Sequence, residues 1–226
     1  MTVYAVSLYD IIFQMVREIL QILRDIGFDE LILESEDFGR VKKERLEKLE
    51  QINREIQVCT KCPLHKDRKQ AVLGEGNLFA KVMFIGEAPG EEEDIQGRPF
   101  VGRAGQLLTK AIENAGYKRE DFYIANINKC RPPGNRTPTI EEQEACFPYL
   151  QRQIDIINPK VLCLLGATAY RGVMKQEVKI TKERGKVLNY QDKLVYITFH
   201  PSYVLRNQAV KDTFFEDIKK AIELSL

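Results

Sequence analysis

The amino-acid sequence predicts an α/β protein, a parallel sheet with helices on both faces. Two observations carry this. From Lys81 onward, short apolar runs alternate with segments of helical periodicity, the pattern of repeated strand–helix units. The first of those runs, Val82 to Ile85, ends in Gly86-Glu87-Ala88-Pro89-Gly90, which continues neither a strand nor an ordinary helix. In open α/β sheets such turns lie at the carboxyl ends of strands, where ligands bind.

The elements follow in order. Residues 7–27 read as a helix, with Ser7 and Asp10 as a capping box and Gly27 at its end. Its apolar face is broad: Leu8, Ile11, Ile12, Met15, Ile19, Ile22, Leu23 and Ile26 recur at three- and four-residue steps. Residues 29–40 are acidic, are broken by Gly39 and read as a linker. The chain therefore divides into an N-terminal extension, 1–40, and a main domain, 41–226. A second helix, about Val41 to Val58, places Leu46, Leu49, Ile52 and Ile56 on one side and delivers the chain to Cys59. Thr60 to Gly76 is a basic loop in which His65 reads as one more exposed residue. After the first strand comes a long polar loop, with the acidic run Glu91 to Asp94 and the turn GRPFVGRAG around Phe100.

Gln106 to Ala115 is a helix closed by Gly116, and Phe122 to Ile127 a second strand. The loop Asn128 to Arg136 contains Pro132-Pro133-Gly134, which no helix tolerates. Thr139 and Glu142 form another capping-box signature, opening a helix to about Ile157. Val161 to Gly166 is a third strand, with a short helix from Ala167. Lys186 to Asn189 and Lys193 to Phe199 are strands flanking the Gln191-Asp192 turn. His200-Pro201-Ser202 ends the last of them, and Thr213 to Leu224 closes the chain as a helix. The loops after the first, second and last strands gather at one edge of the sheet.

Composition excludes several classes. No apolar run approaches the roughly 18 residues of a membrane span, and no basic segment precedes the first apolar stretch as in a secretory signal. The expected setting is intracellular. A net charge of +1 makes no polyelectrolyte argument, so any nucleic-acid surface must come from local clustering. Five cysteines are the sharpest compositional fact: Cys59 and Cys62 form a C-x2-C pair, and Cys130, Cys146 and Cys163 follow. Cys163 lies in an apolar run and reads as a buried free thiol. The other four suit a cluster or metal site.

Polar and aromatic groups converge on the loops: Glu87, Phe100, Asn126, Asn128 and His200. There is no H-x-E deaminase signature and no nucleophile elbow. With these residues in view, the chain resembles the family 4 uracil-DNA glycosylases, the iron–sulfur branch of their superfamily. The resemblance covers about Leu46 to the C-terminus. It rests on Gly86-Glu87-Ala88-Pro89-Gly90, the GRPFVG turn, Asn126 placed four residues before Cys130, His200-Pro201-Ser202, and the order and spacing of the four cysteines.

The resemblance implies a three-layer αβα sandwich around a four-stranded parallel sheet. It implies a [4Fe–4S] cluster on Cys59, Cys62, Cys130 and Cys146, and removal of uracil from single- and double-stranded DNA in base excision repair, on the nucleoid. Carried over by position, Phe100 stacks on the flipped uracil, Asn126 reads its Watson–Crick edge, and His200 donates to uracil O2. Glu93 fills space beside uracil C5. Relatives with a GQDPY-type motif carry an aspartate where this chain has Ala88, so either Glu87 or the carbonyls of the turn position the water. Ser202 with nearby N–H groups and Arg206 grip the DNA backbone. Leu205 is either a wedge into the duplex or a core residue. The same cysteines also fit a structural zinc site, and a cluster-bearing electron-transfer or binding module is the rival from another class. The N-terminal helix has three candidate fates: packing on the main domain, pairing two chains, or docking on a partner. Its stretch Val6 to Phe13 is similar to peptides that plug into sliding clamps, without their usual glutamine.

Overall fold

The structure is a computed structural model that describes residues 15–16, 18–19 and 29–226, with side chains from residue 37 within the last span. Most of the helix expected at 7–27, and the clamp-like stretch within it, lie outside the described residues. The chain divides into two compact units, residues 1–46 and 47–226. The sheet and both cavities described below belong to the second.

Helix α1 runs from Asp29 to Gln57. The acidic linker expected at 29–40 is therefore helical. Glutamate and leucine are good helix formers, a single interior glycine costs only about 1 kcal/mol, and Asp37 pairs with Arg40 one turn on at 2.7 Å. The four parallel strands expected at the centre are present: β2 (Val82–Gly86), β3 (Tyr123–Asn126), β4 (Val161–Leu165) and β6 (Lys193–Thr198). Two antiparallel strands extend them, β1 (Glu75–Gly76) and β5 (Val187–Tyr190), in the order β1-β3-β2-β4-β6-β5. The expected hairpin of the last two strands pairs Tyr190 with Lys193. Strand β1 was not expected; its two residues pair with Ile124 and Tyr123.

Every residue of β2, β3 and β4 is buried, as a parallel sheet covered on both faces requires. Alternation sorts their side chains into two layers. Met83, Ile85, Tyr123, Ala125, Leu162 and Leu164 face Leu49, Ile52 and Ile56 of α1 and Leu150 and Ile154 of α4 (Ile140–Ile157). Val82, Phe84, Ile124, Val161, Cys163 and Leu165 face Leu108 and Ile112 of α3 (Arg103–Asn114) and Phe214, Ile218 and Ile222 of α8 (Lys211–Glu223). This is the three-layer αβα sandwich. Cys163 is fully buried within it, as expected.

The remaining helices sit in the connections. The acidic run forms α2 (Glu91–Gln96) instead of continuing the loop, because carboxylates are favourable in a first helical turn. Helices α5 (Ala167–Met174) and α6 (Ile180–Glu183) follow β4, and α7 (Pro201–Arg206) follows β6 with Pro201 at its first position. The Thr139 capping box is formed in full: Glu142 N–H donates to Thr139 Oγ1 at 3.2 Å, and Thr139 N–H to Glu142 Oε2 at 2.9 Å. No helix among the described residues is long and apolar enough to cross a membrane.

Candidate active site

The loops after β2, β3 and β6 enclose a cavity of about 470 Å³. Glu87, Ala88, Glu93, Phe100, Asn126, His200, Ser202 and Arg206 all line it. Residues far apart in the chain thus meet at the carboxyl edge of the sheet, where crossover topology leaves an open crevice.

Phe100 is held tightly. Its backbone is left-handed, with φ of 50°, a costly conformation for an aromatic residue and one typical of functional sites. The room for it comes from glycine. A Cβ on Gly105 would lie 1.8 Å from the Phe100 carbonyl oxygen, and a Cβ on Gly86 2.3 Å from Phe100 Cζ. The ring centroid lies 6.0 Å from that of His200. Phe100 is buried yet lines the cavity, so one flat ring forms part of its wall.

Asn126, the last residue of β3, is 2% exposed, and its Oδ1 has no hydrogen-bond partner. Leaving such an atom unpaired costs roughly 1–3 kcal/mol. An orphaned acceptor on a cavity wall is a group prepared for a donor that a ligand brings. The same Gly86 Cβ would lie 2.5 Å from this oxygen, so Gly86 makes room for both the ring and the amide.

His200 caps α7. Ser202 N–H donates to His200 Nδ1 at 3.2 Å, and Ser202 Oγ lies 2.7 Å from the same nitrogen. A backbone N–H only donates, so Nδ1 carries a lone pair and the ring's remaining N–H is on Nε2. Burial, followed by the charge of Arg206, pulls the imidazole down to about 4. The ring is therefore neutral at physiological pH and still a donor. Ser202, expected to hold a phosphate, spends its N–H on this cap.

Glu87 is held by Thr168 of α5 and by Thr137, with the Arg171 guanidinium nearby. Burial outweighs those partners and raises its carboxyl above the usual range. The Glu93 carboxylate accepts from Gly90 N–H at 3.0 Å, Val101 N–H at 2.9 Å and Gly102 N–H at 2.8 Å. It ties the Gly/Pro turn to the Phe100 loop. Asn128 lies away from the cavity: its Nδ2 donates to the Glu142 carbonyl at 2.9 Å and anchors α4. Leu205 does not line the cavity; it is half-buried against the layer that contains Phe84 and Phe214. Sequence reasoning missed Thr137, Arg136 and Tyr203, which do line it. Arg136 ends the proline-rich loop and pairs with both oxygens of Glu142 at 2.7 and 2.8 Å.

The cysteines occupy a second pocket. Cys59, Cys62, Cys130 and Cys146 line it together with Lys61, His65, Arg68, Lys129 and Tyr149. His65, expected to be an ordinary loop residue, borders the thiols, with Nδ1 2.7 Å from the Cys62 carbonyl. Arg68 Nη1 donates to Cys130 Sγ at 2.9 Å, and Lys129 N–H to Cys146 Sγ at 3.2 Å. Burial raises the thiols of Cys62 and Cys130 and pushes Cys146 up to about 12. Burial pulls Lys129 down to about 8. Among the described residues no three His, Cys, Asp or Glu side chains are arranged around a single ion. Four thiols sharing one pocket, ringed by cations, fit a larger anionic centre such as an iron–sulfur cluster.

Known proteins supply the context. The family model of the "Uracil DNA glycosylase superfamily" matches residues 73–223. A "Type-4 uracil-DNA glycosylase" of Thermotoga maritima is 52% identical over 181 residues, covering 78% of this chain and 94% of that one. Proteins of the same description from Sulfurisphaera tokodaii and Archaeoglobus fulgidus are 46% and 43% identical. These cover 80% and 79% of this chain, and 86% and 94% of their own lengths. With its sandwich fold, its cavity at the sheet edge and this likeness along most of its length, the chain belongs to the type-4 uracil-DNA glycosylases of the uracil DNA glycosylase superfamily.

Proposed function

We propose that this protein removes uracil from DNA by hydrolysing the N-glycosidic bond, inside the cell and on the nucleoid, as a step of base excision repair. The observation that carries the reading is the buried Asn126 amide with its unpartnered Oδ1 on the cavity wall. Uracil presents N3–H beside the O4 acceptor, so the amide oxygen takes N3–H while the amide NH₂ donates to O4. A base inside a duplex is out of reach, so the nucleotide is flipped into the cavity at a cost of a few kcal/mol.

Phe100 stacks on the flipped ring. As the bond from C1′ to N1 breaks, its electron pair passes to the base, and the sugar gains oxocarbenium character. The neutral His200 donates from Nε2 to uracil O2, where negative charge develops; a preorganised donor of this kind supplies roughly 3–4 kcal/mol. Water adds to C1′ and its proton passes by way of solvent to the uracil anion, so that an abasic site and free uracil result. Glu87, partly desolvated and held by two threonines, orients that water, with the carbonyls of the turn around Ala88 as its alternative. Glu93 borders uracil C5 and so limits the room for thymine's methyl group. Ser202 Oγ and Arg206 contact the DNA backbone, and Leu205 enters the gap left by the base.

Cys59, Cys62, Cys130 and Cys146 hold a [4Fe–4S] cluster. Through these four cysteines such a cluster would tie the chain just after α1 to the loop after β3 and to helix α4. Its thiolates meet the positive charge of Arg68 and Lys129. Release of uracil from a single-stranded oligonucleotide tests the activity, and absence of release from uracil-bearing DNA would overturn it. Visible absorbance with roughly four irons per chain distinguishes the cluster from zinc.

A further inference from the structure

The stretch from Asn126 to Cys130 runs from one cavity to the other, and Lys129 is its most buried charge, 1% exposed. An ammonium has three N–H donors, and here they meet three neutral acceptors. Lys129 Nζ donates to the Asn126 carbonyl at 2.8 Å, to the Leu73 carbonyl at 3.3 Å, and to Gln153 Oε1. Gln153 is itself fixed, since its NH₂ donates to the Leu73 carbonyl at 2.8 Å and to Tyr123 Oη at 3.1 Å. The Lys129 backbone is held on both sides: its N–H donates to Cys146 Sγ at 3.2 Å, and its carbonyl accepts from Val72 N–H at 2.7 Å. A buried ammonium without a counter-charge is expensive.

We propose that Lys129 is a positioning residue for Asn126. Its ammonium, carried on a backbone whose N–H donates to Cys146 Sγ, grips the Asn126 carbonyl and so sets where the Asn126 amide stands in the base cavity. The inference rests on the reading of Asn126 as the group that recognises uracil. It gives the cysteine site a consequence for recognition, transmitted through one side chain, beyond cross-linking the chain.

The test uses the full chain with its iron in place. Lys129→Met keeps the stem and removes the ammonium. Single-turnover uracil release should fall about tenfold or more, because an ångström of misplacement costs on this order or above. Affinity for uracil-containing DNA should stay within about twofold, since Lys129 does not touch DNA. The decisive readout is a double-mutant cycle with Asn126→Ala. If Lys129 acts through Asn126, Lys129→Met should cost less than about twofold further in the Asn126→Ala background. A full second loss there, or unchanged release by the single variant, overturns the proposal. If Lys129→Met fails to fold or to retain iron, Gln153→Met takes its place: the ammonium stays and its anchor goes. Iron content should then be unchanged and release about threefold to tenfold slower; unchanged release overturns the proposal. If Asn126→Ala itself released uracil at the parent rate, the underlying reading of Asn126 would fail instead, so the two failures are distinguishable.

Discussion

The two cavities, one at each end of the Asn126–Cys130 stretch, are built on opposite terms. The base cavity is finished by the polypeptide alone. Glycines clear room for Phe100, three backbone N–H groups fix Glu93, and a helix cap sets the His200 tautomer. What it lacks is one partner for Asn126 Oδ1. The cysteine pocket is built on thiols. Its thiols are driven away from ionisation by burial while cations stand ready beside them. The first site is preorganised around one open acceptor; the second gathers four free thiols beside Lys61, Arg68 and Lys129. The difference teaches where each site is vulnerable: the base site to loss of one contact, the cysteine site to loss of any of the four thiols it gathers.

The sharpest way to break the contrast is to remove one of the four thiols. Cys130→Ala should abolish the visible absorbance and lower the melting temperature by on the order of 10 °C, since metal binding energy is folding energy. Cys163→Ala should keep the absorbance, because that thiol sits in the opposite layer. Iron analysis and calorimetry check both, and an absorbance that needed Cys163 but not Cys130 would reverse the ligand assignment. Next in size, Asn126→Ala and His200→Ala should each slow uracil release about 10²–10³-fold, with DNA affinity nearly unchanged and melting close to that of the parent. Asn126→Asp should in addition admit cytosine, since a carboxylate has no N–H for O4.

The pH profile sharpens the comparison further. An imidazole held near 4 stays neutral as pH falls through 6.5, the usual histidine value. Single-turnover release should therefore show no histidine titration between about pH 8 and 5.5. A step near 6.5 that vanished in His200→Ala would mean a charged donor. Stability has its own sign. The unfolded chain takes up the His200 proton first, so this contribution is present above about pH 6.5 and declines as pH falls toward 4. The smallest effect concerns Leu205→Ala. As a wedge it should slow release several-fold on duplex and leave single-stranded substrate untouched. Equal slowing on both, with earlier melting, would assign Leu205 to the core it already touches.

Much of this was legible because local rules and long-range contacts agree. The four parallel strands are continuous apolar runs, and Thr139-x-x-Glu142 states its own cap. The meeting of Phe100, Asn126 and His200 at one cavity was readable because each sits at the end of a strand or within the loop that follows one. The misses have physical causes. Strand β1 is only two residues long and contains a glycine, so it carries no periodicity; its pairing with β3 creates it. The acidic residues at 29–40 and 91–94 read as solvated chain, yet both form helix, one through propensity and the other through charge at a helix start. Thr168 and Arg171 reach Glu87 from α5, the helix after the neighbouring strand β4. No spacing in the sequence encodes that approach.

The edges of the sheet have a consequence for life at high concentration. An open parallel sheet presents unpaired peptide groups along its two outer strands, which invites the next copy of the protein to add on. Here the strand on one side is two residues long, and its Glu75 is locked between Arg98 and Arg119. On the other side, β5 is four residues long and is preceded by Lys186. The tendency of such edges to pair with another copy is thus blunted at both borders.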